Sequence, residues 1–366
     1  MFDLYIHMSV IYSFFLKDKH FLIRLVLCLC FLISMSMTYS LWLGERSFPK
    51  APLFEFLQFH NVFFDLFLVI FFISVFIVFV LKPKPLIGLS VVFLYVIMAS
   101  QDQNRLQPFF FELILAVLAM TLFSNDKKRV EQCLLLIFVG TYFWSGVHKA
   151  NSDFFNKWML AMNNRIPFVP EELRAMFTFS ISILEASFGL LLISKFTRRY
   201  GVLLITLMHS IIVGTLLIEG FGYAVIPLTF FNVFTLIILF YNSKLTLRDV
   251  FRIDNKKTIA VFLFTIIFPV FNFFGFYDHL LSFSYFSGKP KYCRIWLLNN
   301  EDYEKLPEKY SQYINEWKGS YYVDLNYWSQ ESIGVGVYPE IRVYNQINKQ
   351  FQELLGNSEA TKIELY

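Results

Sequence analysis

Long apolar runs broken by short polar segments fill the first three quarters of the chain. Each run is about 15–22 residues, the length a helix needs to cross a bilayer. Irregular backbone and open sheet edges cannot face lipid, so the runs predict helices. Nine are expected, at 22–43, 62–81, 86–100, 107–123, 130–147, 175–194, 201–219, 221–241 and 258–277. The third is short and the seventh and eighth almost touch, which leaves an eight-span count open. The first run is too long for a signal-peptide core and no small-residue cleavage site follows, so it reads as an anchor.

From about residue 279 the pattern changes. Lys, Glu, Asn and Tyr replace the apolar runs. Tyr292–Leu298 reads as a short strand, and Asp302–Trp317 and Arg342–Leu355 read as helices, the second closed by Gly356. The fold class expected is therefore an all-α polytopic membrane protein. A bundle of about nine transmembrane helices (1–278) carries a small α+β extracytoplasmic tail (279–366), docked on the bundle because so short a segment buries little core alone.

Composition agrees. The chain of 366 residues is 56% hydrophobic, 20% aromatic and only 16% charged, far from a soluble globule. A nucleic-acid binder is excluded, and the net charge of +4 needs no acidic partner. The Lys and Arg side chains set an orientation: sixteen fall at 17–24, 82–84, 127–129, 195–199 and 244–257, and seven at 46–50, 105 and 149–174. Basic loops stay cytoplasmic, so the N-terminus is expected inside and the C-terminus outside, as in a multi-pass protein of a bacterial inner membrane. The four cysteines are scattered, with Cys28 and Cys30 too close for an ordinary disulfide, and no metal site is expected.

Polar groups at depth are costly, so each is a functional candidate. Asp65 and Glu112 lie one turn into their spans and read equally as solvated helix starts or as functional acids. Asp102 and Arg105, spaced i and i+3, suit a surface ion pair at a helix entry; Gln107 follows. Tyr142–Asp153 (YFWSGVHKANSD) closes the fifth span with Trp144, His148 and Lys149. A desolvated lysine gives up its charge readily, as a membrane-buried general base must; the alternative is a lysine that merely snorkels. Glu185 sits mid-span and His209 well inside the seventh, on neighbouring helices, and a Glu185–His209 pair is expected.

The segment YFWSGVHKANSDFF, with LEASFGLLL around Glu185 and LMHSIIVG around His209 followed by the Gly-Phe-Gly-Tyr stretch at 220–223, resembles the vitamin K-dependent gamma-carboxylases and their bacterial relatives, the horizontally transferred transmembrane (HTTM) superfamily. The likeness covers about residues 60–240. It implies that Lys149 is the base that deprotonates a reduced quinone of the vitamin K or menaquinone type, with oxygen and carbon dioxide as co-reactants. His148 and His209 would join it in catalysis, and Asp102, Arg105, Gln107, Trp144 and Glu185 would shape the pocket. The implied partners are a lipid-soluble quinone, the bilayer and a protein or peptide substrate. Two departures stand out: Leu106 and Gln107 occupy the place of the carboxylases' Asn-His pair, and the tail is much shorter than theirs. Both point to quinol- or oxygen-linked chemistry, of lyase or oxidoreductase type, on a smaller substrate. Two other readings compete: a non-catalytic helper like the DoxX or MauE redox-associated membrane proteins, and a transporter.

Overall fold

Helix starts are written into the sequence as caps. In a computed structural model, which describes residues 18–43, 46–57, 61–219 and 222–366, Asp18 caps α1 (Lys19–Met37) and Asn61 caps α2 (Val62–Leu81). Pro85 and Pro108 occupy the first turns of α3 (Pro85–Gln101) and α4 (Pro108–Leu122), where the missing N–H costs nothing. Asp126 caps α5 (Lys127–His148), and Asn151 caps α6 (Ser152–Arg165). The chain continues through α7 (Glu171–Ile193), α8 (Arg198–Glu219), α9 (Ile226–Thr235) and α10 (Lys256–Phe262). Lys17, Gly220 and Phe221 lie outside the described residues.

Among the described residues seven helices are long and apolar enough to cross a membrane, counting the extensions of α9 and α10; α3 and α4 are shorter apolar helices. Both extensions pass through π-turns, at Leu236–Phe240 and Leu263–Ile267. The second precedes Pro269, which has no N–H to return to the Thr265 carbonyl. Gly140 of α5 lies against that carbonyl, where an added Cβ would sit 2.4 Å from it. The burial pattern makes α5 the axis: its apolar stretch is 83% buried, against 22% for α8. Rings of Phe31, Trp42, Phe72, Phe76, Tyr95 and Phe110 interlock among α1, α2, α3 and α4.

Helix α6 was not signalled by an apolar run. It is amphipathic, burying Phe154 and Met162 against the bundle.

The C-terminal unit is a four-stranded antiparallel sheet in the order β2-β3-β1-β4, formed by β1 (Cys293–Leu297), β2 (Ile314–Trp317), β3 (Ser320–Asp324) and β4 (Thr361–Leu365). Strict alternation puts Cys293, Ile295 and Leu297 on its buried face. Helix α11 (Leu325–Ile333) follows β3, and α12 (Ile341–Leu355) turns Val343, Tyr344, Ile347, Phe351 and Leu355 inward. Gly356 ends α12 at φ 67°, as its sequence signals. The expected helix over Asp302–Trp317 does not form. Pro307 interrupts it, leaving single turns at Asn300–Tyr303 and Glu308–Ser311. Lys318 and Gly319, at φ 53° and 78°, then make a two-residue hairpin turn that pairs Trp317 with Ser320.

The unit docks on the end of the bundle where α3 meets α4. Tyr338 N donates to Asn104 Oδ1 at 2.9 Å, Gln107 Nε2 donates to the Gly336 carbonyl at 3.0 Å and Arg342 Nε donates to Gln103 Oε1 at 2.7 Å.

Candidate functional site

The sequence candidates separate into a platform, a buried ion pair and an interior polar cluster. The platform is the link between α3 and α4. Asp102 and Arg105 are 0% and 2% exposed, so they are not the surface pair their spacing suggests. Asp102 Oδ1 accepts from Ala51 N and Asn104 Nδ2, and Oδ2 meets Arg46 Nη2 at 2.7 Å. Burial alone would push the Asp102 carboxyl up; Arg46 and Arg105 outweigh it and hold it below the usual aspartate range. Arg105 spends its fork on the carbonyls of Leu41, Met98 and Trp42, with Asp65 at 4.0 Å. Asp65 itself pairs with Lys50 at 2.6 Å. Gln107 bridges the Asn104 and Gly336 carbonyls. These residues fix the joint between bundle and sheet, and the polar atoms of Arg105 and Gln107 are committed to it.

The ion pair joins α5 and α7. Lys149 Nζ lies 2.8 Å from Glu185 Oε2 and donates to Ser145 Oγ at 2.7 Å. Two glycines make the pair possible. A Cβ on Gly146 would lie 2.2 Å from Ala186 N, and one on Gly189 would lie 2.7 Å from Phe143 N. The backbones therefore touch through small residues, as membrane helices do. That contact turns the α7 face bearing Ser182, Ala186 and Gly189 toward α5, and Glu185 is carried with it. The expected Glu185–His209 pair is thus replaced: Glu185 meets Lys149, and His209 Nε2 bonds the Tyr142 hydroxyl at 2.7 Å.

Tyr142, Ser145 and Lys149 are spaced three and four residues apart, so they share one face of α5. Glu112, Asn232 and Glu185 all lie within electrostatic reach of the Tyr142 hydroxyl. Glu112 is no solvated helix start. It is 0% exposed and accepts from Asn232 Nδ2 of α9 at 3.0 Å. Tyr142, Thr141 and Asn232 were missed in the sequence, where charged groups and histidines drew the attention. The visible signal was an amide at depth in IPLTFFNVFT.

On the next face of α5, the His148 ring stacks on Phe273, with centroids 4.8 Å apart, and Trp144 lies 5.8 Å away. Trp144 Nε1 is buried without a protein partner, and the His148 ring lies against the Ser282 backbone. Among the described residues, no three His, Cys, Asp or Glu side chains gather as metal ligands. Comparison with protein-family models, with curated proteins and with solved structures finds no match to this chain.

Proposed function

We propose that the chain is a multi-pass membrane enzyme in which Lys149 serves as general base toward a lipid-soluble quinol. In this reading all nine apolar helices cross a bacterial inner membrane, the N-terminus is cytoplasmic, and residues 279–366 are extracytoplasmic. The bias of Lys and Arg toward one set of loops supports that orientation.

The observation that carries the reading is the Lys149–Glu185 pair. A primary amine is 8% exposed at the end of the central helix, with a carboxylate at 2.8 Å and a hydroxyl at 2.7 Å. A base must be held in place and must pass its proton on. Ser145 and Glu185 hold Nζ, and Glu185 is a second acceptor beside it. Tyr142 and His209 stand one turn deeper and extend the hydrogen-bonding groups inward.

A quinol has a flat ring and two oxygens. Trp144, His148 and Phe273 offer ring faces, and Trp144 Nε1 is an unspent donor, so the residues suit such a ring. When bound there, a reduced quinone would supply a dissociable hydroxyl proton and reducing equivalents for oxygen. His148 would orient the ring, and the Lys149–Glu185 pair would take the proton, Nζ passing its own to Glu185 as it receives the quinol's. Carbon dioxide as a further co-reactant rests on the carboxylase resemblance.

The test is oxygen consumption by the purified protein with reduced menaquinone or vitamin K. Wild type should turn over. Lys149→Arg keeps the charge but cannot accept a proton, so it should lose activity by about 100-fold or more while remaining folded. An inactive wild type, or a fully active Lys149→Arg, overturns the reading.

A further inference from the structure

The chain that follows the last apolar helix returns to the end of α5. Asn151 clamps it there: its Nδ2 donates to the His148 carbonyl at 2.7 Å and to the Ser287 carbonyl at 2.9 Å. Gly288, at φ 68°, packs so closely on α6 that an added Cβ would lie 2.9 Å from Phe154 N. Lys289 leaves the chain at that point. Its Nζ donates to Asn272 Oδ1 at 2.8 Å and lies 4.5 Å from the centre of the Phe273 ring, the ring that stacks on His148. The clamp and the close contact thus bring one ammonium to the border of the Trp144–His148–Phe273 cluster. Phe273 is 50% exposed, so the cluster is open on that side. The ammonium has no counter-charge there. Arg46, Lys50, Lys149 and Arg342 each meet a carboxylate within 2.8 Å. Lys289 meets none among the described residues; its acceptors are the neutral side chain and the carbonyl of Asn272. Burial pushes its pKa down, and no acid offsets the push.

We propose that Lys289 is an anion-holding residue of this site, and that the ligand it receives is a flat ring bearing an oxyanion. The proposal rests on the quinol reading above and names the charge state which that reading leaves open. When the O–H bond of the ring breaks, the proton goes to the Lys149–Glu185 pair and the electron pair stays on oxygen. An ammonium at the border of the ring cluster stabilises that charged oxygen far more than it does a neutral hydroxyl. Lys149 is poorly placed for this second task, because its own charge is already matched by Glu185 at 2.8 Å. Lys289 brings a positive charge that the fold leaves unmatched, and Asn272 holds it without neutralising it.

The experiment is calorimetric titration of the whole chain, in a neutral detergent at neutral pH and low salt, with two probes. One is 2-hydroxy-1,4-naphthoquinone, which is ionised under these conditions; the other is its neutral methyl ether. Wild type should bind both and prefer the ionised probe by about tenfold. Lys289→Met should lose that preference while binding the ether as wild type does, and Lys289→Arg should keep most of it. Comparing the ratio of the two affinities between proteins cancels the partition of each probe into micelles. A merely structural lysine would weaken both probes alike in Lys289→Met. Wild type that binds the ether with no preference for the anion overturns this proposal and leaves the quinol reading standing. A Lys289→Met protein that keeps the preference overturns it too. Wild type that binds neither probe overturns both.

Discussion

Lys149→Met and Glu185→Leu each leave one charged group of a close pair behind. The two side chains are 9% and 12% exposed with their charged atoms 2.8 Å apart. Removing one partner of such a pair costs about 3–5 kcal/mol, because the survivor stays desolvated and uncompensated. The lower end applies here, since Lys149 keeps the Ser145 hydroxyl. Removing both partners together replaces the pair with apolar volume and should cost only about 1 kcal/mol. The double-mutant cycle should therefore show a coupling of at least about 2 kcal/mol. Reversible unfolding in mixed micelles, followed by tryptophan fluorescence, measures all four proteins. The companion cycle between Glu185→Leu and His209→Leu should show far less, because His209 bonds Tyr142 instead. Additive effects at Lys149 and Glu185, with strong coupling between Glu185 and His209, would refute this account and restore the pairing expected from the sequence.

Gly146→Ala should destabilise by about 2 kcal/mol or more, because the new Cβ meets the backbone of Ala186 and Ser182 and forces α5 from α7. Gly214→Ala, in open space on α8, should be neutral or gain up to about 1 kcal/mol; equal thermal shifts for the two would sink the close-packing argument. Asp278 accepts from Tyr338 Oη at 2.7 Å and Arg342 Nη1 at 2.8 Å. Burial works against its charge, but Arg342 and Tyr338 outweigh that and hold its carboxyl below the usual aspartate value of 3.8. The folded pKa is depressed, so the contribution is complete above 3.8 and disappears as the pH falls through the lower folded value. Hydrogen exchange should show α12 losing protection on acidification, with Asp278→Asn already weakened at neutral pH; protection that is independent of both would contradict the docking role.

The helices were legible because lipid-compatible runs leave few alternatives. The expected 62–81 run coincides with Val62–Leu81, fenced by the Asn61 cap and the Lys82–Pro83 break. Helix α6 escaped because its apolar residues form a stripe, not a run. The error at 302–317 came from ignoring Pro307 and the Lys318–Gly319 turn, both local signals. Lys149 and Glu185 stood out individually because charge at depth is rare. Their meeting did not, since adjacency of two helices in sequence says nothing about which face each turns. That information lay in Gly146, Ser182, Ala186 and Gly189, whose spacing marks the close contact. Asn232 and Tyr142 were hidden because a neutral amide or phenol costs less to bury than a charge and draws less notice.

A ligand can be held only by polar atoms that the fold has not already used. The platform shows this from the negative side. Asp102, Arg105 and Gln107 are polar, clustered and buried, yet their bonds go to backbone, to the Asn104 side chain and to the Arg46 ion pair. Drawing any of them into a pocket would strand a buried charge or carbonyl, at a cost a small ligand could not easily repay. Deeper along α5 the balance reverses. Trp144 keeps an unspent nitrogen, and it projects with His148 from the helix that is most enclosed. Phe273 lies against both rings. The same helix ends in Lys149, whose partner is a carboxylate rather than water. The chemistry proposed for this chain therefore lies along α5, toward its Lys149 end, with the platform holding the sheet above it.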